Sequence, residues 1–120
     1  MRGIRGAITV EENTAEAVIT ATQEVVTAML EANEIATEDI GAAIFSATED
    51  ITAAFPAKGA RALSGFDMVP LFDARQMDVE GALTMCIRVL LLVDTDKKQK
   101  EIKHIYRGRA QNLRPDLAKS

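Results

Sequence analysis

The chain has 120 residues and a mass of 13.0 kDa, with 48% hydrophobic and 27% charged residues, which is typical of one ordinary globular domain. Its net charge of −4 argues against a protein that mainly binds nucleic acid, and no apolar stretch approaches the roughly 20 residues that span a membrane. The single cysteine, Cys86, excludes an intramolecular disulfide, and the glycines and arginines near the start predict a cytoplasmic rather than an exported protein.

The first third of the chain predicts a strand followed by a long helix. Residues 2–10 alternate between apolar and other side chains, which predicts a strand with Arg5 on its non-core face. Asn13, with Glu16 three residues later, resembles a capping box and predicts the start of a helix that ends near Asn33. Apolar residues at helical spacing predict that this helix packs one face against the sheet.

The middle of the chain predicts two strands separated by a short helix. Residues 39–48 are small and apolar and predict the second strand. Pro56 suits the first position of a helix and Gly65 suits its end, so a short helix is expected between them. Residues 68–72 predict the third strand.

The last part of the chain predicts a helical turn at residues 78–83, a central strand at residues 86–93 and an alternating strand at residues 102–106. The order β-α-β-α-β-turn-β-β predicts one α+β domain with a five-stranded sheet over residues 1–120. One long helix cannot easily cover both faces of such a sheet. We therefore expect the face that carries Arg5 to meet another copy of the chain.

Arg88 is the most informative single residue because it lies within the apolar run CIRVLLLV. An arginine removed from water needs a negative partner, since it cannot lose its proton. The partner is either an acidic side chain of the protein or a bound ligand. For one such arginine taken alone, an internal salt bridge is the commoner explanation.

The charge distribution also points to an anion. Residues 1–54 contain two Arg and ten Asp or Glu, whereas residues 55–120 contain twelve Lys or Arg and eight Asp or Glu. Three further candidates each have a simpler explanation: a surface cation for Arg5 and Arg114, and turn chemistry for Asp73. Tyr106, the single tyrosine, is equally consistent with a core aromatic and with a hydrogen-bonding role.

Other kinds of site have little support. The chain has one His and one Cys, with no metal-ligand spacing, and it contains neither a GxGxxG nor a GxxxxGK[ST] motif. If the protein is an enzyme, it is expected to bind an anion through arginines, without a metal or a covalent intermediate.

Several short segments together resemble one known family. They are RGIRGAITVE near the start, SAT and FPAK…R.LSGF…VP in the middle, and MDV.G.L..CIRVL, TD and H.Y...A..LRPDL in the second half. Taken as a set, in this order and spacing, they resemble the AroH-type chorismate mutase family, the trimeric α+β family rather than the all-helical one. The resemblance extends from Arg2 to Leu117.

The resemblance implies the Claisen rearrangement of chorismate to prephenate, on the route to phenylalanine and tyrosine. It also implies a homotrimer that resembles a pseudo-α/β barrel, with a site at each of its three subunit clefts and no cofactor. Neither nucleic acid nor a membrane is an expected partner.

The resemblance also implies residue roles. Arg88 is expected to reach the ether oxygen and a substrate carboxylate, while Arg5 and Tyr106 bind the side-chain carboxylate. A tail over residues 113–120 is expected to be mobile and to close the site with Leu113 and Arg114. The residues expected along the substrate ring are Phe72, Asp73, Ala74 and Arg75, and those expected from the neighbouring subunit are Phe55, Ala57, Lys58 and Arg61.

One position departs from the family pattern. Gln76 stands where the family has a catalytic glutamate, and Asp73 stands where it usually has a cysteine. We hypothesise that Asp73 supplies the charge that Gln76 lacks, although Arg75 between them is a possible ion-pair partner. The alternatives are a less active enzyme, or a trimeric anion-binding or regulatory module with impaired turnover.

Overall fold

The computed structural model describes residues 1–113 of the chain. Its elements follow the predicted order. The strands and helices are β1 (Arg2–Thr9), α1 (Ala15–Asn33), β2 (Ile40–Ala47), α2 (Pro56–Arg61), β3 (Leu71–Arg75), β4 (Cys86–Val93) and β5 (Ile105–Arg107). There are also three short 3₁₀ helices: Thr37–Asp39 precedes β2, Gln99–Glu101 precedes β5, and Gly108–Asn112 follows β5.

The strands form one five-stranded mixed sheet in the order β3-β2-β4-β1-β5. The central strand β4 runs antiparallel to both β1 and β2, while β5 is parallel to β1 and β3 is parallel to β2. The α+β class, the mixed sheet and the central place of the apolar strand are therefore confirmed.

Helices α1 and α2 cover one face of the sheet, which we call the covered face: α1 packs on β1 and β5, and α2 packs on β2 and β3. The side chains buried between them include Ile4 from β1, Phe45 from β2 and Leu91 from β4, with Val25 and Met29 from α1. The helix lies very close to β1 because a Cβ atom on Gly6 would collide with the sulfur of Met29. The absence of a side chain at this glycine thus sets the distance between helix and sheet.

The start of α1 corrects one sequence expectation. Thr14, not Asn13, is the N-cap, and its hydroxyl accepts a hydrogen bond from the Ala17 amide at 3.1 Å. The Asn13 side chain instead accepts hydrogen bonds from the amides of Thr52 and Ala53 at 3.0 Å. Asn13 therefore anchors the segment before α2 and does not cap the helix.

The boundaries of the middle elements also differ from the prediction. Helix α2 ends at Arg61, before Gly65, and the predicted strand at residues 68–72 begins only at Leu71. The reason is a turn in which the Val69 amide donates to the Phe66 carbonyl at 3.1 Å, so the chain is still turning as it reaches Pro70.

Two further expectations in the second half were wrong. The helical turn predicted at residues 78–83 does not form, and Gly81 there has a φ of +81°, outside the range of a right-handed helix. The last strand starts at Ile105 rather than Ile102. Residues 102–104 are in neither helix nor strand, and the Lys103 amide donates to Asn33 Oδ1 at 2.7 Å instead of to a neighbouring strand. Within residues 1–113, no helix is both long and apolar enough to cross a membrane.

Candidate active site

The other face of the sheet, which we call the open face, carries the candidate polar residues. Side chains alternate along each strand, so Arg5 of β1, Arg88 of β4 and Tyr106 of β5 all project from this face. The pairing Ala7↔Arg88 and Ala7↔Tyr106 places the arginine and the tyrosine on either side of one small residue. The three side chains line a cavity of about 430 Å³.

Arg88 is exposed in the single chain, which corrects the expectation of a buried arginine. Its apolar neighbours Ile87 and Val89 point to the covered face, whereas Arg88 points away from α1. Among residues 1–113, Arg88 forms no ion pair with an acidic side chain; the ion pairs formed there involve Arg75, Lys97 and Arg107. The positive charge of Arg88 is therefore not neutralised by this part of the chain.

Tyr106 is held firmly at the edge of the cavity. Only 4% of its surface is exposed, and it packs in a small cluster with Ala7, Cys86 and Ala110. Leu113 is partly buried against the same cluster and also lines the cavity. The tyrosine is thus a packed aromatic that also lines the cavity, and its hydrogen-bonding role stays a prediction.

Cys86 lies next to this arrangement but is suited only to packing. Burial raises the pKa of its thiol, and the nearby Arg88 guanidinium only partly opposes that effect. A buried thiol with a raised pKa is a poor nucleophile, because the thiolate is the reactive form.

Two cavity-related residues were missed in the sequence. Ser46 of β2 is paired with Arg88 and lines the cavity. The sequence signal was its place in the SAT segment, two positions after Ile44 and therefore on the same strand face. His104 contacts Arg5 rather than the cavity itself: its Nδ1 accepts a hydrogen bond from the Arg5 amide at 2.9 Å. No local pattern signals this contact, because the two residues are 99 positions apart.

A second cavity, of about 770 Å³, collects most of the other candidates. It lies beside the start of α2, where Phe55 is 71% exposed. Ala57 is buried in α2, Arg61 is exposed at the end of that helix, and Phe72 is 64% exposed on the open face. The candidate residues that line the second cavity are Phe55, Lys58, Asp73, Ala74 and Arg75.

The Asp73 side chain lies against α2 and not beside Arg88. In register, Asp73 pairs with the buried Phe45, whereas Arg88 pairs with Ser46, so their side chains leave opposite faces of the sheet. The Asp73 carboxylate accepts a hydrogen bond from the Ala57 amide at 3.0 Å. Burial raises the pKa of Asp73, while that hydrogen bond and the charge of Arg61 act in the opposite direction.

Gln76 and Arg75 lie just beyond these groups. The Gln76 amide donates to the Ala47 carbonyl at 3.1 Å, and its side-chain oxygen Oε1 is buried with no hydrogen-bond partner among residues 1–113. Gln76 lines a small cavity of about 90 Å³. It lines neither the cavity that holds Arg88 nor the second cavity beside α2. Arg75 forms an exposed ion pair with Glu49 at 3.2 Å rather than with Asp73.

Within one chain, the structure therefore places Arg5, Arg88, Tyr106 and Leu113 around one cavity. The candidates near α2 lie around the second cavity. Arg114 and the rest of the predicted tail lie outside the described residues. Within residues 1–113, no group of three or more His, Cys, Asp and Glu side chains could hold a metal ion.

Comparison with known proteins identifies relatives of the whole chain. Residues 1–117 match the model of the family described as chorismate mutase type I. The chorismate mutase AroH of Thermus thermophilus is 52% identical over 118 residues, which cover 98% of this chain and 96% of that protein. The chorismate mutase AroH of Bacillus subtilis is 44% identical over 118 residues, covering 98% and 93%. The solved structure of a chorismate mutase from Clostridium thermocellum has a TM-score of 0.91 and 42% identity, covering 94% of this chain and 100% of that one.

Proposed function

The chain belongs to the chorismate mutase type I family, and we propose on that basis that it is an enzyme that converts chorismate to prephenate. The structural observation that carries the proposal is Arg88, which forms no ion pair with an acidic side chain of residues 1–113 and lines an open cavity together with Arg5 and Tyr106. Such a cavity suits a small dicarboxylate. The proposed setting is the cytoplasm, where a single free cysteine such as Cys86 remains reduced.

The chemistry of the reaction explains why cationic groups suffice. In this Claisen rearrangement one C–O bond breaks while one C–C bond forms, and no proton needs to be transferred. The enzyme must hold the flexible dianion in its compact conformation. It must also stabilise the negative charge that develops on the ether oxygen, which fixed donors do best in a site closed to water.

The cavity residues supply these two functions. The Arg88 guanidinium, whose charge no acidic side chain of residues 1–113 neutralises, is proposed to donate to the ether oxygen and to one carboxylate. Arg5 and Tyr106 are proposed to bind the side-chain carboxylate. The tight packing of Tyr106 supports this role, since its ring loses little freedom when the ligand binds.

A complete site is proposed to need two chains, as in the homotrimer expected from the sequence. The open face carries apolar side chains with no covering element within residues 1–113, among them Ile44, Phe72, Leu90 and Leu92. Burying such a face requires another molecule. The α2 region of a neighbouring chain would then add Phe55, Ala57, Lys58 and Arg61 beside Arg88, and Leu113 and Arg114 would close the site.

Gln76 replaces the family's glutamate in the chemistry of this site. Gln76 can still accept a hydrogen bond from the ring hydroxyl, and its buried Oε1 lacks a donor among residues 1–113. Asp73 is hydrogen-bonded to α2, so it would reach the site from the same chain as Lys58. Its negative charge would then compensate for the neutral Gln76, although burial raises its pKa and so disfavours the charged form.

The activity is tested by mixing the protein with chorismate and following the absorbance of the diene that the reaction consumes. Decay well above the uncatalysed rate supports the enzyme. Binding without decay would instead indicate an anion-binding or regulatory module, the alternative that the replacement of glutamate by Gln76 raised. If the protein neither binds chorismate nor accelerates its decay, both functions are contradicted.

The compensation hypothesis has its own test. If Asp73 supplies the charge, Asp73→Asn lowers the turnover number and Gln76→Glu raises it, and Gln76→Glu restores activity to Asp73→Asn. An unchanged turnover number in Asp73→Asn contradicts the hypothesis without affecting the proposed activity.

A further inference from the structure

The sheet hydrogen bonding of β1 continues into a histidine side chain. The parallel pairing of β1 with β5 begins at Gly6↔Ile105, so Arg5 and His104 are the next pair outward. At that point the Arg5 amide donates to His104 Nδ1 at 2.9 Å. The imidazole therefore takes the place of a backbone carbonyl and extends the ladder by one residue.

We propose that His104 is a positioning residue for substrate binding, which fixes the backbone of Arg5 through its unprotonated Nδ1. The inference rests on the proposed function, because it concerns the Arg5 side chain that binds the substrate carboxylate. The hydrogen bond fixes the place from which that side chain leaves the strand. His104 itself does not line the cavity that holds Arg88 and Tyr106, so it acts only through Arg5.

The contact works in one protonation state only. An imidazole nitrogen that accepts a hydrogen bond carries no proton, whereas both nitrogens of a protonated ring are donors. Protonation of His104 would therefore leave the Arg5 amide facing a second donor. It would break the contact of Arg5 on the β5 side, while the other side of Arg5 stays paired with Leu90 of β4.

Among residues 1–113, two arginines lie beside the ring. His104 lines a cavity of about 510 Å³ together with Arg2 and Arg5 of β1. On its own segment, the neighbouring Lys103 is exposed. A protonated ring would thus add a positive charge beside Arg2 and Arg5.

The expected effect is on the Michaelis constant more than on turnover. Arg5 is proposed to hold a carboxylate away from the breaking bond, so its contact is similar in the ground state and the transition state. Loss of such uniform binding raises KM and leaves kcat nearly unchanged. One neutral hydrogen bond corresponds to a change of about three- to tenfold in KM.

Two substitutions separate positioning from simple packing. His104→Leu keeps an apolar side chain of moderate size but removes the acceptor, and it should raise KM about three- to tenfold with kcat within about twofold. His104→Asn places its Oδ1 near the position of Nδ1 and cannot gain a proton, so it should retain the KM of the unmodified protein. Thermal melts of both variants, recorded beside the kinetics, identify any variant that is unfolded.

The pH profile gives the sharpest comparison. Between about pH 8 and pH 5, where histidine gains its proton in proteins, the unmodified protein should show a rising KM and the Asn variant a flat one. Binding of prephenate, measured by calorimetry over the same range, should show the same contrast in Kd and does not depend on turnover.

The outcomes distinguish this inference from the proposed function. If the unmodified protein turns chorismate over, any one of three results overturns the positioning role alone. They are an unchanged KM in His104→Leu, an impaired His104→Asn, and the same rise in KM at acid pH in the unmodified protein and in His104→Asn. If the unmodified protein binds prephenate without turnover, the Kd values of the variants decide the inference. If it neither binds nor reacts, the inference and the proposed function both fail.

Discussion

The two faces of the sheet come from the same strands but are built in opposite ways. On the covered face, Ile4, Phe45 and Leu91 are fully buried beneath the helices and form part of the core. On the open face, Arg5 and Arg88 are exposed beside half-buried Leu90. Residues adjacent in sequence therefore belong to different environments.

This contrast divides stability from binding. The apolar contacts of the covered face stabilise the fold within one chain. The open face contributes little packing of its own and instead presents charge and apolar surface to a ligand and to another chain. Substitutions one residue apart should consequently have separable effects, and the following predictions test that separation.

The largest expected effect is on catalysis. Arg88→Ala should lower kcat by about 10³-fold or more, because it removes a charged donor aimed at the developing negative charge. The melting temperature should change little, since Arg88 is exposed in the chain. The chorismate assay and thermal melts measure the two effects. Lys100→Ala, which removes an exposed cation elsewhere, is the control, and retention of activity within tenfold by Arg88→Ala would contradict the role.

The next effect is on stability and compares neighbours on β2. Phe45→Ala should lower the free energy of unfolding by about 3–5 kcal/mol, since Phe45 is fully buried in the core. Ile44→Ala, on the open face, should lower it clearly less and should mainly weaken association of the chains. Urea denaturation and sedimentation of both variants measure these effects. Equal losses of stability would mean that the two faces are packed alike within the chain.

A smaller effect tests whether the two cavities act from different chains. Arg88→Ala and Lys58→Ala, each impaired alone, should regain activity when refolded together at equal amounts. In a closed ring of subunits, about one site in four would then combine two intact halves. The same variants mixed without unfolding serve as the control. No regain after subunit exchange would mean that a site uses one chain only.

The smallest effect concerns the charge of Asp73. Burial raises its pKa above the ordinary value of 3.8, so ionisation of this carboxylate opposes folding as the pH rises through the raised pKa. Asp73→Asn keeps an oxygen for the Ala57 amide and carries no charge. It should melt slightly above the unmodified protein at neutral pH, and the difference should vanish below about pH 4. A lower melting temperature at neutral pH would show that the ion–dipole contact with α2 outweighs burial.

Sequence patterns predicted the fold well because its signals are local. The apolar run of β4 and the alternation of β1 identified strands that the structure confirms. The resemblance was confirmed over residues 1–117. The weaker predictions concerned boundaries. Thr14 replaces Asn13 as the N-cap because Asn13 binds a distant loop, and β3 starts late because of a local backbone turn before Pro70.

The candidate site was harder to predict because its geometry depends on pairing between strands. The sequence singled out Arg88, Arg5 and Tyr106, but only the register places them around one cavity. It suggested that Arg88 was buried, because apolar neighbours on both sides do not indicate which face a side chain occupies. It also treated Asp73 and Gln76 as near equivalents, whereas the strand alternation sends Asp73 towards α2.

By itself, the sequence determined the order of elements, the family and the residue types available for binding an anion. These follow from periodicity and local motifs, which a single chain carries in linear form. Only the tertiary structure decided that Arg88 is left without an acidic partner by residues 1–113, that Asp73 is held by α2 and that His104 supports Arg5. Each of these depends on contacts between residues far apart in the chain, which form only when the strands have paired.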